Sequence, residues 1–209
     1  MMKGIKFGDI HSFYDLNLIV APFEIPPALP KTSFYELQGA DGSLDETEAL
    51  GRVFYKNRPA SFTFSVLPKD NFEEKKTQVS NLINGQKFKI TLDKDPDYYY
   101  IGRCSVSDYK SNKMLRQIIV DATLQPYKLK QNVTVVTLGA GTHRLLNDRL
   151  NVVPTIKTTA ESILTFGGRI HHLAAGTHKI LEFCLVEGEN KITINTDGEV
   201  TFTYQEGAL

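Results

Sequence analysis

The sequence predicts a mainly β protein with two domains and one helix, and three observations support this class. Most of the chain alternates apolar and polar residues with a period of two, which is typical of strands with one buried face. One stretch has helical spacing instead. With 209 residues, 41% of them hydrophobic, the chain can fill one large core or two small ones.

The clearest strands lie in the first 130 residues. Three apolar series alternate with polar residues: Phe62, Phe64 and Val66; Phe88, Ile90 and Leu92; and Ile118, Val120, Ala122 and Leu124. Turn-forming groups separate such segments at 95–97, 110–113, 187–190 and 196–198. Because short links join antiparallel neighbours, we expect antiparallel sheets.

The exception is the stretch from Asp70 to Asn84, which we predict to be a helix of about four turns lying on a sheet. Asp70 is the expected N-cap, with Glu73 three residues later, and Gly85 is the expected stop. The apolar positions at helical spacing are Phe72, Val79, Leu82 and Ile83.

A domain boundary is expected near Gln125 to Gln131, where Pro126 ends a strand and polar residues follow. Residues 1–130 carry 18 basic and 16 acidic side chains, and residues 131–209 carry 6 and 8. The second part is therefore poor in charge and rich in Thr, Val and Ile, which is typical of a small all-β sandwich. We place an N-terminal domain at 1–130 and a C-terminal domain at 131–209.

The second part contains an internal similarity. Leu138-Gly-Ala-Gly-Thr-His-Arg-Leu-Leu returns at 173 as Leu-Ala-Ala-Gly-Thr-His-Lys-Ile-Leu. Two copies are too few for a solenoid, so we interpret them as two equivalent corners of a sandwich. A chance recurrence of a turn motif is the alternative.

Charge and hydropathy exclude several classes of partner. Basic and acidic side chains balance at 24 each, so no net field attracts nucleic acid or an anionic membrane. No run of about 18 apolar residues is present to insert into a membrane, and we find no secretion signal. Cys104 and Cys184, eighty residues apart in strand-like segments, suit a reduced compartment, although a disulfide between them is an alternative.

The sequence offers no convincing catalytic, metal or cofactor site. Gly139 and Gly141 resemble the start of a dinucleotide loop, but Arg144 replaces the third glycine, so a β-turn explains them. His171 and His172 are adjacent and would point to opposite faces of a strand, so they cannot share one metal ion. No nucleophile elbow is present. We therefore expect no enzyme activity, no metal and no cofactor.

Tyr98, Tyr99 and Tyr100 form the one aromatic cluster in a chain without tryptophan. Tyrosines can stack on sugars or bases, so a ligand groove here is one interpretation. Successive residues of a strand alternate faces, however, and we expect at least one of the three to lie in the core.

Several segments of both parts, taken in their order along the chain, resemble those of one known protein family. In the first part they are Gly4–Ser12, Gly39–Glu48, Phe62–Val66, Leu82–Asp93 and Asp95–Arg103. In the second they are Val153–Ile156, Leu173–Thr177, Gly188–Ile194 and Val200–Gly207. Together they resemble the distal tail protein, Dit, of long-tailed bacteriophages and related prophages.

This resemblance implies an N-terminal antiparallel β-sandwich-like domain with one helix and a C-terminal galectin-like β-sandwich. It implies a non-enzymatic structural protein of the virion, assembled in the bacterial cytoplasm. Six copies would form a ring at the distal end of a long non-contractile tail. The N-terminal domains would form the ring, which would link the tail tube protein to tail-tip proteins and to receptor-binding proteins.

A closed ring joins one patch of a subunit to a different patch of its neighbour, so complementary charges at separate places are useful. We predict that the loop around residues 39–51 contributes to this interface. The candidate residues are Asp41, Gly42, Leu44, Asp45, Glu46, Glu48, Arg52, Lys56 and Arg58. Ordinary surface charges on a hairpin are the alternative.

The alternative function is a carbohydrate-binding or receptor-binding adhesin that acts through the C-terminal sandwich. Longer Dit proteins insert carbohydrate-binding modules, and a chain of 209 residues leaves no room for one. The absence of tryptophan also argues against sugar stacking.

Overall fold

The structure is a computed structural model that describes residues 4–112 and 115–209. The chain folds into two compact units, the first ending at Pro126 and the second beginning at Tyr127. The sequence interpretation placed the boundary after residue 130. The division after Pro126 lies within the boundary region expected at 125–131, and it assigns residues 128–130, which pair with the last strand of the chain, to the second unit.

The N-terminal unit contains nine strands and one helix among its described residues. The strands are β1 (Ile5–Phe7), β2 (Ile10–His11), β3 (Leu18–Val20), β4 (Phe34–Glu36), β5 (Ser43–Asp45), β6 (Arg58–Val66), β7 (Lys87–Leu92), β8 (Asp95–Ser111) and β9 (Arg116–Leu124). Seven of them form an antiparallel sheet in the order β2-β1-β7-β8-β9-β6-β3. The other two, β4 and β5, pair only with each other.

The three alternating apolar series are confirmed as the core of this unit. Phe62 and Phe64 of β6 and Ile118, Val120, Ala122 and Leu124 of β9 are buried, while the residues between them are not. The ring of Phe7 meets those of Phe62 and Phe64 edge to face, with centroids 6.2 and 6.1 Å apart. Such edge contacts add to the energy of burial.

Helix α1 (Phe72–Ile83) confirms the predicted helix and corrects its cap. The carboxamide oxygen of Asn71, not the carboxylate of Asp70, accepts the N–H of Glu73 at 3.1 Å. Asp70 is instead part of a turn, in which its own N–H donates to the carbonyl of Leu67. Phe72, Val79 and Ile83 are buried, so the helix packs on the core through the expected stripe.

Two turns were predicted in this unit, at 95–97 and at 110–113. The turn expected at 95–97 is wrong, since β8 begins at Asp95 and the hairpin turn is Asp93–Lys94. The ladder between β7 and β8 shifts register there, and such a bulge accommodates Pro96, which has no N–H to donate. Of the turn expected at 110–113, Lys113 lies outside the described residues.

The C-terminal unit has ten strands among its described residues, eight of which form a two-sheet sandwich while the first and the last pair with each other. The ten strands are β10 (Lys128–Lys130), β11 (Thr134–Leu138), β12 (Gly141–Asn147), β13 (Thr155–Thr158), β14 (Ser162–Phe166), β15 (Arg169–Leu173), β16 (Gly176–His178), β17 (Gly188–Thr196), β18 (Val200–Tyr204) and β19 (Gly207–Ala208). The sheets have the orders β11-β18-β13-β16 and β12-β17-β14-β15. Their inner faces enclose one core, in which Phe183 and Phe202 stack with centroids 5.8 Å apart.

The two copies of the repeated motif are confirmed as equivalent corners. The first leads from β11 into β12 and the second from β15 into β16, and each crosses from one sheet to the other. The Nε2–H of His143 donates to the carbonyl of Gly139 at 3.0 Å, and that of His178 donates to the carbonyl of Ala174 at 2.8 Å. These two histidines therefore brace corners and are not arranged as metal ligands.

The remaining turns of this unit differ from expectation. The link at 196–198 joins β17 to β18, which belong to different sheets, so these strands are not antiparallel neighbours. Most of the 187–190 segment lies within β17, because residues 188–190 pair with 145–147 of β12. The side chain of Asn190 also bonds to both backbone groups of Val186.

The first and last strands of the C-terminal unit are tied by charge as well as by pairing. The ammonium group of Lys130 bonds to Glu206 and lies 3.0 Å from the carboxylate of Asp148. The hydrogen bond that Lys130 donates to the Glu206 carboxylate raises the pKa of Lys130, which therefore stays protonated at every physiological pH. No helix of the described residues is long and apolar enough to cross a membrane.

The close pairing of β8 and β9 generates a prediction. A Cβ atom at Gly102 would lie 2.5 Å from the side chain of Leu124 and 3.0 Å from the carbonyl oxygen of Thr123. We expect Gly102→Ala to lower the free energy of unfolding of the N-terminal unit by about 1–3 kcal/mol. Hydrogen exchange of the β8 and β9 amides measures this loss. Gly139→Ala, where an added Cβ meets open space, is the control. Equal protection in both variants would contradict the prediction.

Candidate assembly interface

A two-stranded arm, residues 29–56, leaves the N-terminal sheet between β3 and β6. Its base is a short ladder. The N–H of Lys31 donates to the carbonyl of Phe54, and the N–H of Lys56 donates to the carbonyl of Leu29, both at 2.7 Å. Pro30 and Tyr55 form the bridge between these bonds. The base therefore holds the two sides of the arm in register.

The tip of the arm is the hairpin formed by β4 and β5, in which Tyr35 lies opposite Leu44. Gly39 and Gly42 adopt φ angles of 82° and 79° in the connecting turn, a conformation that L side chains rarely adopt. Ser33 joins the two strands at the end of the hairpin opposite the turn. Its N–H donates to the Thr47 hydroxyl at 3.2 Å, and its carbonyl accepts the N–H of Glu46 at 2.9 Å.

The arm exposes an unusual amount of apolar surface. The exposed fractions are 59% for Phe34, 54% for Tyr35, 54% for Leu37, 47% for Leu44 and 82% for Leu50. A solitary two-stranded hairpin is marginally stable in water, and adjoining exposed apolar side chains usually mark an interaction site. The arm therefore has the character of a surface that another molecule covers.

The same segment is strongly acidic. Between residues 32 and 51 it contains five carboxylates and neither lysine nor arginine; the five are Glu36, Asp41, Asp45, Glu46 and Glu48. All five are exposed, and none forms an ion pair with another described residue. The arm tip thus combines apolar anchors with an uncompensated negative charge.

Hydrogen bonds fix the charge of one of these carboxylates. Bonds from the Thr47 hydroxyl and from the Thr47 N–H, the latter at 2.9 Å, lower the pKa of Asp45 below its ordinary value of 3.8. Asp45 is therefore ionised throughout the physiological range. Its hydrogen bonds stabilise the hairpin above the ordinary pKa and are lost as the pH falls through the lowered one.

The structure brings most of the predicted interface residues together in the arm. Six of them lie at its tip: Asp41, Gly42, Leu44, Asp45, Glu46 and Glu48. Arg52 and Lys56 lie on its returning side, where the guanidinium of Arg52 covers the ring of Phe54 at 4.5 Å. Their participation in an interface remains a prediction.

Arg58 requires a correction, because it lies inside the unit and cannot present its charge to a partner. Only 5% of it is exposed, and its Nε–H donates to the carbonyl of Pro126 at 2.7 Å. The sequence already indicated this burial, because Arg58 is an even number of residues from Ala60, Phe62 and Phe64. It therefore lies on the same face of β6, which faces the core.

Sequence reasoning also missed three apolar residues of the tip, Phe34, Tyr35 and Leu37. They precede the glycine-containing loop predicted to form the interface. Their alternation is too short to distinguish a strand of an exposed hairpin from a buried strand. A long connection rich in exposed glycine and acidic residues was the available signal that this hairpin projects.

The structure also places the tyrosine cluster and the two cysteines that the sequence analysis singled out. Tyr100 is buried, as expected for at least one of the three tyrosines, and Tyr99 carries the ammonium of Lys89 over its ring at 4.0 Å. Cys104 and Cys184 are free thiols, and burial raises the pKa of Cys104 to about 12, so it is a poor nucleophile. The described residues contain no group of three side chains placed to hold a metal ion.

One apolar hollow lies beside β3 and has a volume of about 400 Å³. Ile19, Val20 and Phe23 line it, and its charged groups are Glu24 and Lys94, which pair with each other at 3.3 Å. Because these charges are already satisfied, the hollow presents no arrangement for catalysis.

Comparison with known proteins identifies the fold. No protein-family model matches the sequence, and no curated protein matches it either. Among solved structures, the Dit protein of phage SPP1 superposes with a TM-score of 0.73 over 100% of both chains, at 11% sequence identity. That protein is described as a paradigm of the hub adsorption apparatus in phages that infect Gram-positive bacteria. The chain thus has the Dit fold over its whole length, as the resemblance implied.

The contacts of Thr47 generate a prediction for the arm. Thr47→Ala removes the hydroxyl that bonds to Asp45 and to the Ser33 N–H, so we expect the pKa of Asp45 to rise toward 3.8. Carboxyl NMR titration measures the change, and exchange of the Ser33 amide should become faster. Thr177→Ala, at an exposed position of β16, is the control. An unchanged pKa of Asp45 would show that the Thr47 hydroxyl does not hold this carboxylate.

Proposed function

We propose that this protein is the hub of a long non-contractile phage or prophage tail, where six copies form a ring at the distal end. The observation that carries the proposal is the full-length match to the SPP1 Dit fold. The exposed arm supports it independently, because a hub subunit must present surfaces that other subunits cover. The protein acts by binding and requires no catalytic group.

In this proposal the N-terminal unit forms the ring through its arm. A rotationally closed ring joins two different patches of each subunit, so the arm of one copy contacts a separate surface of the next. Leu44 and Leu50 supply apolar anchors, and Asp45 and Glu46 supply charge that selects the partner surface. The C-terminal units point outward and hold adhesion components.

The proposed partners follow from this position. The ring contacts the tail tube protein on one side and tail-tip proteins on the other, and receptor-binding proteins attach at its periphery. The protein assembles in the bacterial cytoplasm and is carried in the virion.

Self-association tests this function. We expect purified protein to form annuli with six-fold symmetry in negative-stain images, and its mass in solution to rise with concentration toward that of six chains. Monomers at millimolar concentration, without annuli, would count decisively against a ring-forming hub.

The apolar anchors of the arm generate a specific prediction. The paired change Leu44→Ser and Leu50→Ser should raise the concentration at half-assembly at least about tenfold, since each leucine would bury apolar area on docking. Both side chains are exposed in the subunit, so its thermal unfolding should be unchanged. Sedimentation velocity measures the association. Ile170→Ser with Leu181→Ser, at exposed positions of the C-terminal unit, is the matched control. The interface assignment is wrong if both pairs behave alike.

A second candidate function is a sugar-binding adhesin, and one observation favours it. The outer face of the sheet β12-β17-β14-β15 presents exposed polar side chains able to bond to hydroxyl groups, among them Arg144, His172, Lys191 and Asn195. Screening of the full chain on a glycan array distinguishes this function. Binding at millimolar affinity or better, lost in Asn195→Ala, would support the adhesin.

A further inference from the structure

We infer that the acidic arm tip of one copy docks on a basic face of the N-terminal sheet of a second copy. This inference rests on the proposed function, because it names the two surfaces that meet in the ring. It begins from a cluster of cations that the sequence does not reveal, since its members are far apart along the chain.

Strand pairing gathers these cations on one side of the sheet. In β7 the residues Lys87, Lys89 and Thr91 share the outer face. Lys87 lies opposite Arg103 of β8, and Thr91 lies opposite Lys6 of β1. We call the surface formed by Lys6, Lys87, Lys89 and Arg103 the basic face.

No carboxylate of the described residues pairs with the cations of the basic face. All four cations are exposed, and none forms an ion pair with another described residue. Lys87 and Arg103 are directly opposed across the ladder, where like charges destabilise a sheet. The only hydrogen bond of the Arg103 guanidinium within the described residues goes to the backbone carbonyl of Gly85. A surface on which like charges lie this close together suits a negatively charged partner.

Apolar surface accompanies the charge. Tyr99 and Ile101 occupy outer positions of β8 opposite Thr91 and Lys89, and both are half-buried. The basic face therefore offers charge beside a partly apolar strip. Surfaces that combine apolar contacts with charge are typical of specific protein association.

The arm tip is complementary to this face in both respects. It has five carboxylates and no cation between residues 32 and 51, and it exposes Tyr35, Leu37 and Leu44. The basic face has four cations. An arm and a face at different places on one subunit form the head-to-tail contact that a closed ring requires.

The cations that lie nearest to the acidic arm tip in the sequence do not form its partner surface. The nearby cations Arg52 and Lys56 belong to the arm itself and move with it, and Arg58 is buried. The four cations of the basic face lie on the sheet, which is held by a complete core. A rigid receiving surface reduces the entropy lost on docking.

Charge exchange between two variants tests the inference. One variant carries Asp45→Lys and Glu46→Lys, so its arm and its face are both basic. The other carries Lys87→Glu and Lys89→Glu, so both surfaces are acidic. We expect each variant alone to remain unassembled under conditions where the unchanged protein forms rings, and an equimolar mixture to restore assembly.

The stoichiometry of the mixture gives the sharpest readout. Because each variant repels itself and attracts the other, the two must alternate, and native mass spectrometry should find equal numbers of both in every restored ring. A chain that carries all four changes should also assemble by itself. Asp197→Lys with Glu199→Lys, at the exposed link between β17 and β18, controls for the total change of charge.

The outcomes separate the inference from the function on which it rests. If the unchanged protein assembles and either variant still assembles alone, the arm-to-face contact is wrong while the hub function stands. If both variants fail alone and the mixture also fails, the two surfaces belong to different contacts and the inference is overturned. If the unchanged protein never assembles, the proposed function fails first.

Discussion

Strand register is the constraint on which the rest of the N-terminal unit depends. The ladder that opposes Ile90 to Tyr100 in the core also opposes Lys87 to Arg103 on the outer surface. A shift by one residue would bury lysines and expose the core, so hydrophobic burial fixes the register strongly. The position of the surface charges is then a consequence of the core, and no surface contact is needed to hold them there.

The arm differs from this sheet in how it is stabilised. Its strands pair only with each other, and its large apolar side chains stay exposed, so burial contributes little to its order. Backbone bonds at its base and the contacts of Ser33 and Thr47 keep it extended. A segment held in this way is accessible to a partner, and docking as proposed would supply the burial that the subunit alone does not provide.

Residue patterns in the sequence were sufficient to predict the strands, the helix and the two sandwich corners, because burial of one face enforces each pattern. They were insufficient to predict features that depend on local backbone geometry, such as the helix cap and one of the turns. Asn71 replaced Asp70 as the helix cap, and the link at 197–198 crosses between sheets although it has the composition of a hairpin turn. For the candidate site, the sequence located the arm through Gly39 to Glu48 but could not find the basic face. Residues 6, 87, 89 and 103 become neighbours only through strand pairing.

Net charge gave a misleading picture of the surface for the same reason. Equal numbers of acidic and basic side chains indicate a protein without long-range attraction, yet the structure places five carboxylates on the arm tip and four cations on one sheet face. A subunit with separated charges of opposite sign attracts copies of itself while the assembly stays neutral. In the proposed contact, each added copy would satisfy one arm and leave one arm unsatisfied, so the chain of contacts would end only when the last arm reached the first face. Segregated charge on a neutral subunit therefore suits head-to-tail association, which closes into a ring when the rotation between copies allows it.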